Sequence, residues 1–145
     1  MPVIENYSEF VHANIWGPDT TEQESPIKLN LFVLFGLNSK AEQKAKDLLI
    51  RRIHAAKEEH NFTLVRQELI NIDGYQSNLV EFTYDLDTAF YRFVEEELRY
   101  ISTRDLNITI PRNGMVYEIL ISASQNEWNT HQKEIQHILD TFKWK

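Results

Sequence analysis

The sequence predicts an α+β fold, in which helices pack on an antiparallel β-sheet. Several segments alternate apolar and polar residues with the period of two that is typical of half-buried strands. Two other segments repeat apolar residues at helical spacing, and each follows a capping-box sequence. Asp73-Gly74 and Asn113-Gly114 are tight-turn signals, so the strands that flank them are expected to pair as hairpins.

The composition is that of a globular domain. The chain has 145 residues, of which 42% are hydrophobic and 26% are charged, and no linker rich in proline or glycine divides it. We therefore expect one domain over residues 1–145, with an irregular N-terminal segment at residues 1–26. The formal net charge of −7 disfavours nucleic acid as a partner, because an acidic chain repels phosphates. Because the chain has no cysteine, thiolate catalysis and cysteine-ligated metal sites are excluded.

The first half of the chain predicts a strand followed by a helix. In residues 25–36, "SPIKLNLFVLFG", apolar side chains recur at every second position. Ser39 and Glu42 then form a capping box, which predicts a helix over residues 40–60. Its apolar stripe consists of Ala41, Ala45, Leu48, Leu49, Ile53 and Ala56.

Two hairpins and a closing helix follow. Residues 62–86 predict two strands joined at Asp73-Gly74, and residues 105–124 predict two more joined at Asn113-Gly114. Between the hairpins, residues 86–97 fit a helix and a strand equally well, and we leave both open. After a second capping box, S-Q-N-E, a helix is predicted to end near Phe142. Its stripe is Trp128, Ile135, Ile138, Leu139 and Phe142.

Two stretches of the sequence resemble the PsbP-like family, which is named for an extrinsic protein of photosystem II. The first is "NIDGYQSNLVEFTYD", with its turn glycine and a hydrophobic–x–Tyr strand. The second is "NGMVYEILISASQNEWNTHQKEIQHILDTFKW", with a glycine turn, a Val-Tyr strand, a small-residue cap and a closing pair, Thr141-Phe142. The resemblance covers residues 62–145. The chain departs from the family pattern where Trp16 follows no proline, and residues 86–97 look like an insertion.

The resemblance implies an α/β/α sandwich around an antiparallel sheet, a fold shared with the Mog-type Ran-binding import factors. It brings no universal active site, so no catalytic residue is carried over. Members of the family are mostly accessory or binding proteins, often secreted or membrane-tethered. This chain is therefore expected to be a bacterial or archaeal relative with a binding role.

The sequence offers little that could carry chemistry. His54 and Glu58 stand at i and i+4, but no third ligand lies near them, so a solvated helix face is favoured over a metal site. His131 lies on the stripe of the last helix and is expected to be partly buried with one hydrogen bond. No nucleophile elbow or glycine-rich phosphate loop occurs. We expect no catalytic residue, no cofactor and no metal, and the chain is predicted not to be an enzyme.

The aromatic residues of the strand-rich half are the more promising signal. Most are expected to pack in the core, but Phe90 and Tyr91 are adjacent and cannot both point inward on a strand. At least one of them is then a contact residue. The predicted partner-contact residues are Phe90, Tyr91, Arg92 and Phe93, with Trp16 as a second choice.

The sequence thus predicts a non-enzymatic accessory or protein-binding domain that docks a protein partner through a sheet face or edge. The alternative is a carrier that holds a small apolar ligand or lipid between helix and sheet. No apolar run approaches the ~18 residues that span a bilayer. The N-terminal stretch has no basic start and no apolar core. Two expectations of localisation remain open, a cytosolic protein and an extracytoplasmic one whose signal or lipid anchor has been removed.

Overall fold

The computed structural model describes residues 9–16, 28–34, 41–87 and 99–144, with backbone alone in the first two ranges. These residues form six strands and three helices. In chain order they are β1 (Glu9–Trp16), β2 (Lys28–Leu34), α1 (Ala41–Lys57), β3 (His60–Ile72), β4 (Tyr75–Asp87), β5 (Tyr100–Arg112), β6 (Met115–Ser124), α2 (Gln125–Thr130) and α3 (Gln132–Thr141).

All six described strands belong to one antiparallel sheet. Their order is β1-β2-β6-β5-β4-β3, so β1 and β3 lie at the two edges and β5 and β6 near the centre. The central strands come from the predicted second hairpin, and their apolar residues are among the most deeply buried of the described part. This sheet with packed helices confirms the predicted α+β class.

Both predicted hairpin turns are present, and both need residues with positive φ. Asp73 and Gly74 have φ of 45° and 89°, and Asn113 and Gly114 have φ of 52° and 76°. Positive φ at both central residues is the conformation of a type I′ turn, whose twist matches that of the flanking strands. Asn and Asp tolerate this region better than other residues with a Cβ atom, which explains why the two turns have these sequences.

The helices α2 and α3 cover one face of the sheet. Ser124 ends β6 and caps α2, because its Oγ accepts a hydrogen bond from the backbone N–H of Glu127 at 3.3 Å, which confirms the predicted cap. Trp128 and Ile135 are buried against the sheet. The largest core cluster is formed by these two residues with Ile72, Leu79, Leu106, Ile108, Ile110, Ile119, Ile121 and Ala123.

The helix α1 covers the opposite face. Ala41 and Ala45 pack on Val116, and these small side chains let the helix backbone approach the sheet closely. The hydroxyl of Thr109 in β5 donates a hydrogen bond of 3.0 Å to the backbone carbonyl of Ala45. The second half of the helix packs in a cluster of Leu49, Ala56, Val80 and Phe82. Helices on both faces confirm the predicted α/β/α arrangement.

Two details of the sequence prediction are corrected. The N-terminal 26 residues are not irregular throughout, because Glu9–Trp16 forms the edge strand β1. The closing helix is not continuous, because His131 separates α2 from α3 with φ of −110° and ψ of 17°. Of the ambiguous segment, residues 86 and 87 complete β4, and residues 88–97 lie outside the described residues. No helix within the described ranges is long and apolar enough to cross a membrane.

Candidate functional site

The predicted contact residues fall largely outside the described part of the chain. The structure does not describe Phe90, Tyr91, Arg92 and Phe93, so their contact with a partner stays a prediction. Trp16 is the last residue of β1, where its backbone pairs with Lys28. That position is on an edge strand of the sheet, and the Trp16 side chain is outside the described residues.

The histidines whose side chains are described do not gather into a ligand set. His54 and Glu58 are both exposed, as expected of a solvated helix face. His131 is half-buried between two carboxylates, with Glu127 Oε2 at 3.4 Å from Nε2 and Glu134 Oε1 at 3.8 Å from Nδ1. Within the described ranges, no group of three His, Asp or Glu side chains could hold a metal ion.

The edge strand β3 exposes apolar side chains. Leu64 and Val65 are both exposed, and Leu69 is 60% exposed. The inner side of β3 pairs with β4, and no other described strand pairs with the outer side of β3. An outer edge of this kind presents a row of backbone N–H and C=O groups that can accept a further strand.

The register of β3 places these side chains on two faces. Leu64 lies opposite Phe82 and Leu69 opposite Asn78, so both are on the α1 side of the sheet. The register shifts between Leu64 and Arg66, which is a β-bulge that turns Val65 toward the α3 side. From Arg66 to Ile72 the pairing with β4 is regular. This regular half is long enough to pair with a second strand along its outer side.

A groove lies beside this edge, between the sheet and the helices α2 and α3. Its volume is about 350 Å³. The apolar lining consists of Val65, Leu106, Trp128, Ile135 and Leu139. The polar lining consists of Arg66, Glu81, Arg104, Gln132 and Gln136. The groove lining therefore combines apolar and hydrogen-bonding side chains, and both the sheet and the helices contribute to each kind.

Two arginines converge on one buried glutamate in the groove. The Nη2 atom of Arg104 donates to Oε2 of Glu81 at 2.6 Å, and Nη2 of Arg66 lies 3.6 Å from Oε1 of the same carboxylate. The guanidinium of Arg104 also lies 5.4 Å from the ring centroid of Trp128, a cation–π distance. Its Nε–H is buried and has no hydrogen-bond partner.

A polar network lies on the opposite face, beneath α1. Glu118 of β6 is fully buried there, and Arg52 of α1 reaches it with two hydrogen bonds, Nε to Oε2 at 3.0 Å and Nη2 to Oε1 at 2.7 Å. This fork of two parallel bonds is the strongest geometry for an arginine–carboxylate pair. The pair ties the helix to the centre of the sheet.

Asp105 forms the second part of this network. It accepts hydrogen bonds from Ser122 Oγ at 2.5 Å and from Tyr84 Oη at 3.1 Å. Burial raises the pKa of the Asp105 carboxyl above its ordinary value, although both hydrogen bonds oppose the shift. Burial and the neighbouring Asp105 charge likewise raise the pKa of Tyr84. Because each group has a protein partner, the network supports packing and offers no unpaired nucleophile.

The end of the chain is fastened to the first hairpin turn. Asp73 accepts hydrogen bonds from the backbone N–H of Trp144 at 2.8 Å and from Lys143 Nζ at 3.2 Å. These bonds hold the pKa of the Asp73 carboxyl below its ordinary value. Trp144 packs against aromatic rings of both hairpins and of the tail, namely Tyr75, Tyr117 and Phe142. Lys143 and Trp144 therefore attach the end of the described chain to the first hairpin turn.

The sequence could have indicated the edge of β3 but not the groove. Leu64 and Val65 are adjacent, and so are Leu69 and Ile70, and adjacent apolar residues of a strand cannot all face one core. The same argument singled out Phe90 and Tyr91. The groove is assembled from β3, β4, β5, α2 and α3, and no local pattern relates residues so far apart in the chain.

Comparisons with known proteins show the fold but no family. No protein-family model and no curated protein matches the sequence. The structure is similar to that of PA94 from Pseudomonas aeruginosa, a protein of unknown function, with a TM-score of 0.61 and 14% identity over 99% of this chain and 88% of that one. It is also similar to LpqN, which is involved in cell envelope biogenesis of Mycobacterium tuberculosis, with a TM-score of 0.53 and 12% identity over 94% and 84%.

A third similar structure is cyanobacterial PsbP from Synechocystis sp. PCC 6803. Its TM-score is 0.47 with 13% identity, and the match covers 89% of this chain and 78% of that one. At these identities the likenesses concern the fold alone.

Proposed function

We propose that this chain is a binding protein and not an enzyme, and that it docks a protein partner along the outer edge of β3. The observation that carries the proposal is that edge: a strand of 13 residues with Leu64, Val65 and Leu69 exposed. Large apolar side chains on an edge strand favour pairing with another chain, and natural monomers usually remove or blunt such edges. An edge that keeps them is a candidate docking surface.

The occupant that fits this edge is an extended segment of the partner. Such a segment adds a strand to the sheet, so its backbone bonds to β3 supply affinity and its alternate side chains supply specificity. Leu64 and Leu69 would contact partner side chains on the α1 side of the sheet, and Val65 would contact those on the α3 side. Arg66 and Glu68 form an ion pair of 2.8 Å between them and leave this stretch of the edge without net charge.

Two further observations support a role without catalysis. Beneath α1, Arg52 bonds to Glu118 and Ser122 bonds to Asp105, in geometries that stabilise the packing of the helix on the sheet. The sequence also resembles PsbP-like proteins, whose members are mostly accessory or binding proteins. The finer proposal is therefore that the chain is a PsbP-like accessory protein whose partner binds at β3.

The docking edge is tested by a photo-crosslinking amino acid in place of Leu69. Expressed in the native host, this variant is expected to form one discrete adduct with another protein when irradiated. In a separate experiment without crosslinker, a tagged chain that carries Leu69→Lys is expected to lose co-purification of that same protein, because a charge at this position opposes strand addition. The stability of Leu69→Lys should stay within about 0.5 kcal/mol of the wild type, since the side chain is on the surface.

Ile50 of α1 provides the matched control, because it is a similarly exposed aliphatic residue away from β3. A crosslinker at Ile50 should give no adduct, and Ile50→Lys should leave co-purification intact. Equal adducts from both positions would show that the labelling follows exposure alone and would reject the docking edge. An adduct of this chain with itself would show that the occupant is a second copy, against the proposal of a distinct partner.

A further inference from the structure

The groove beside β3 has the shape of a small-ligand site. Its volume of about 350 Å³ is at the lower end of the range of ligand pockets, roughly 300–1,000 Å³. Trp128, Ile135 and Leu139 provide an apolar wall from the helices, and Leu106 provides one from the sheet. A ligand here would lie between helix and sheet with its apolar part against this wall.

The charged lining residues of the groove are two arginines and one glutamate. Arg66 and Arg104 share the single buried carboxylate of Glu81, so the three groups together have a net charge of +1. Glu68, the second partner of Arg66, lies outside the groove lining, and its side chain is 47% exposed against 40% for Arg66, so water screens both members of that pair. A ligand anion in the groove would meet two guanidinium groups and one carboxylate, and Arg104 is the less exposed of the two arginines.

Arg104 also has a donor that no described group uses. Its Nη2 bonds to Glu81 and its plane lies over Trp128, which together fix the guanidinium, while its Nε–H is buried without a partner. A buried donor without an acceptor is costly, and an acceptor atom on a ligand would remove that cost. A fixed guanidinium with an unused N–H is suited to a carboxylate.

We propose that this groove binds a small amphipathic carboxylate, whose head group accepts a hydrogen bond from Arg104 and whose apolar body packs against Trp128, Ile135 and Leu139. This inference goes beyond docking at β3 and does not depend on it. It gives a site and a ligand class to the carrier role that the sequence left open.

Octanoate is a suitable probe, followed by changes in backbone amide NMR signals of the full chain. We expect octanoate to shift the signals of residues that line the groove, and Arg104→Gln to weaken its binding about tenfold or more, as loss of a charge-assisted hydrogen bond predicts. Octanol and octylamine, which have the same number of carbon atoms and no negative charge, should bind about tenfold more weakly than octanoate to the wild type.

Three variants test whether octanoate binds in the groove itself. Arg51→Gln removes an exposed arginine of α1, on the other face of the sheet, and should leave octanoate binding unchanged. Leu69→Lys tests the docking edge and should also leave it unchanged. Val65→Trp fills the groove from its exposed rim with both arginines intact and should prevent binding, which keeps the test decisive if Arg104→Gln does not fold.

Several results would overturn the inference. Equal binding of octanoate and octanol would show that the arginines recognise no head group. Signal changes away from the groove, or binding that survives Val65→Trp, would place the ligand elsewhere. An absence of octanoate-dependent changes in the wild type would show that only water occupies the groove.

Discussion

Replacing Arg52 with alanine is expected to lower the free energy of unfolding by about 3 kcal/mol. The reason is that Glu118 is fully buried at the centre of the sheet, and Arg52, among the side chains that the structure describes, donates a hydrogen bond to each of its carboxylate oxygens. Without the arginine, the carboxylate stays buried beneath α1 with its charge uncompensated. We place the loss at the lower end of the usual range because the Arg52 side chain is itself 36% exposed, and water can partly replace it.

The neighbouring residue gives a matched control for this prediction. Arg51→Ala removes the same type of side chain from the same helix, but Arg51 is exposed. Its effect on urea-induced unfolding should stay within about 0.5 kcal/mol. If the two variants unfolded at the same urea concentration, the Arg52–Glu118 pair would contribute nothing to the attachment of α1, and the role given to the polar network would be wrong.

Replacing Ile135 with alanine is expected to cost about 3 kcal/mol. Ile135 is the residue of α3 that lies deepest against the sheet, with 5% of its surface exposed, and it shares the main core cluster with Trp128. Truncation to alanine removes apolar contacts and leaves a cavity between helix and sheet, which the rigid strands cannot close. The measurement is again the free energy of unfolding in urea.

Ile138 is the control on the same helix, three positions later. It is 38% exposed, so Ile138→Ala should change stability by no more than about 0.5 kcal/mol, and alanine is the better helix former. A large loss for Ile138→Ala together with a small loss for Ile135→Ala would mean that α3 is rotated from the orientation described. The groove, which Ile135 lines, would then not exist in its present form.

The sequence predicted those parts of the fold that local chemistry decides. Asp73-Gly74 and Asn113-Gly114 indicated two hairpins, because few residue pairs adopt positive φ twice in succession. Ser124 indicated the start of a helix because a hydroxyl there can accept from the backbone N–H of Glu127. In each case the signal and the structure it specifies lie within a few residues of each other.

The missed features depend on contacts between distant parts of the chain. The alternation V-H-A-N-I at residues 11–15 indicates a strand, but it does not show that this strand pairs with β2. The partners Arg52 and Glu118 are 66 residues apart, and each looks like an ordinary surface residue in the sequence. The sequence predicted only that the last helix ends near Phe142, whereas the structure shows that Asp73, 71 residues away, fixes the position of Trp144.

The place of the candidate site in the fold could not be predicted from the sequence. The sequence favoured docking through a sheet face or edge, and the described structure offers such an edge at β3. The aromatic residues chosen for contact, Phe90 to Phe93, and the edge-strand residue Trp16 remain predictions. The proposal at β3 rests instead on the aliphatic side chains of Leu64, Val65 and Leu69. They belong to two adjacent apolar pairs within one strand, and the sequence alone does not show which face of the sheet each side chain occupies.

Hydrogen exchange of the backbone amides of β3, measured on the chain alone, tests the openness of this edge most directly. Every second amide of an edge strand in an antiparallel sheet points away from its neighbour. We predict that, between Arg66 and Ile72, amides bonded to β4 exchange slowly and the alternate, outward-pointing amides exchange quickly. Slow exchange at every amide of this stretch, at all protein concentrations, would contradict an open docking edge, because another part of the same chain would already cover it.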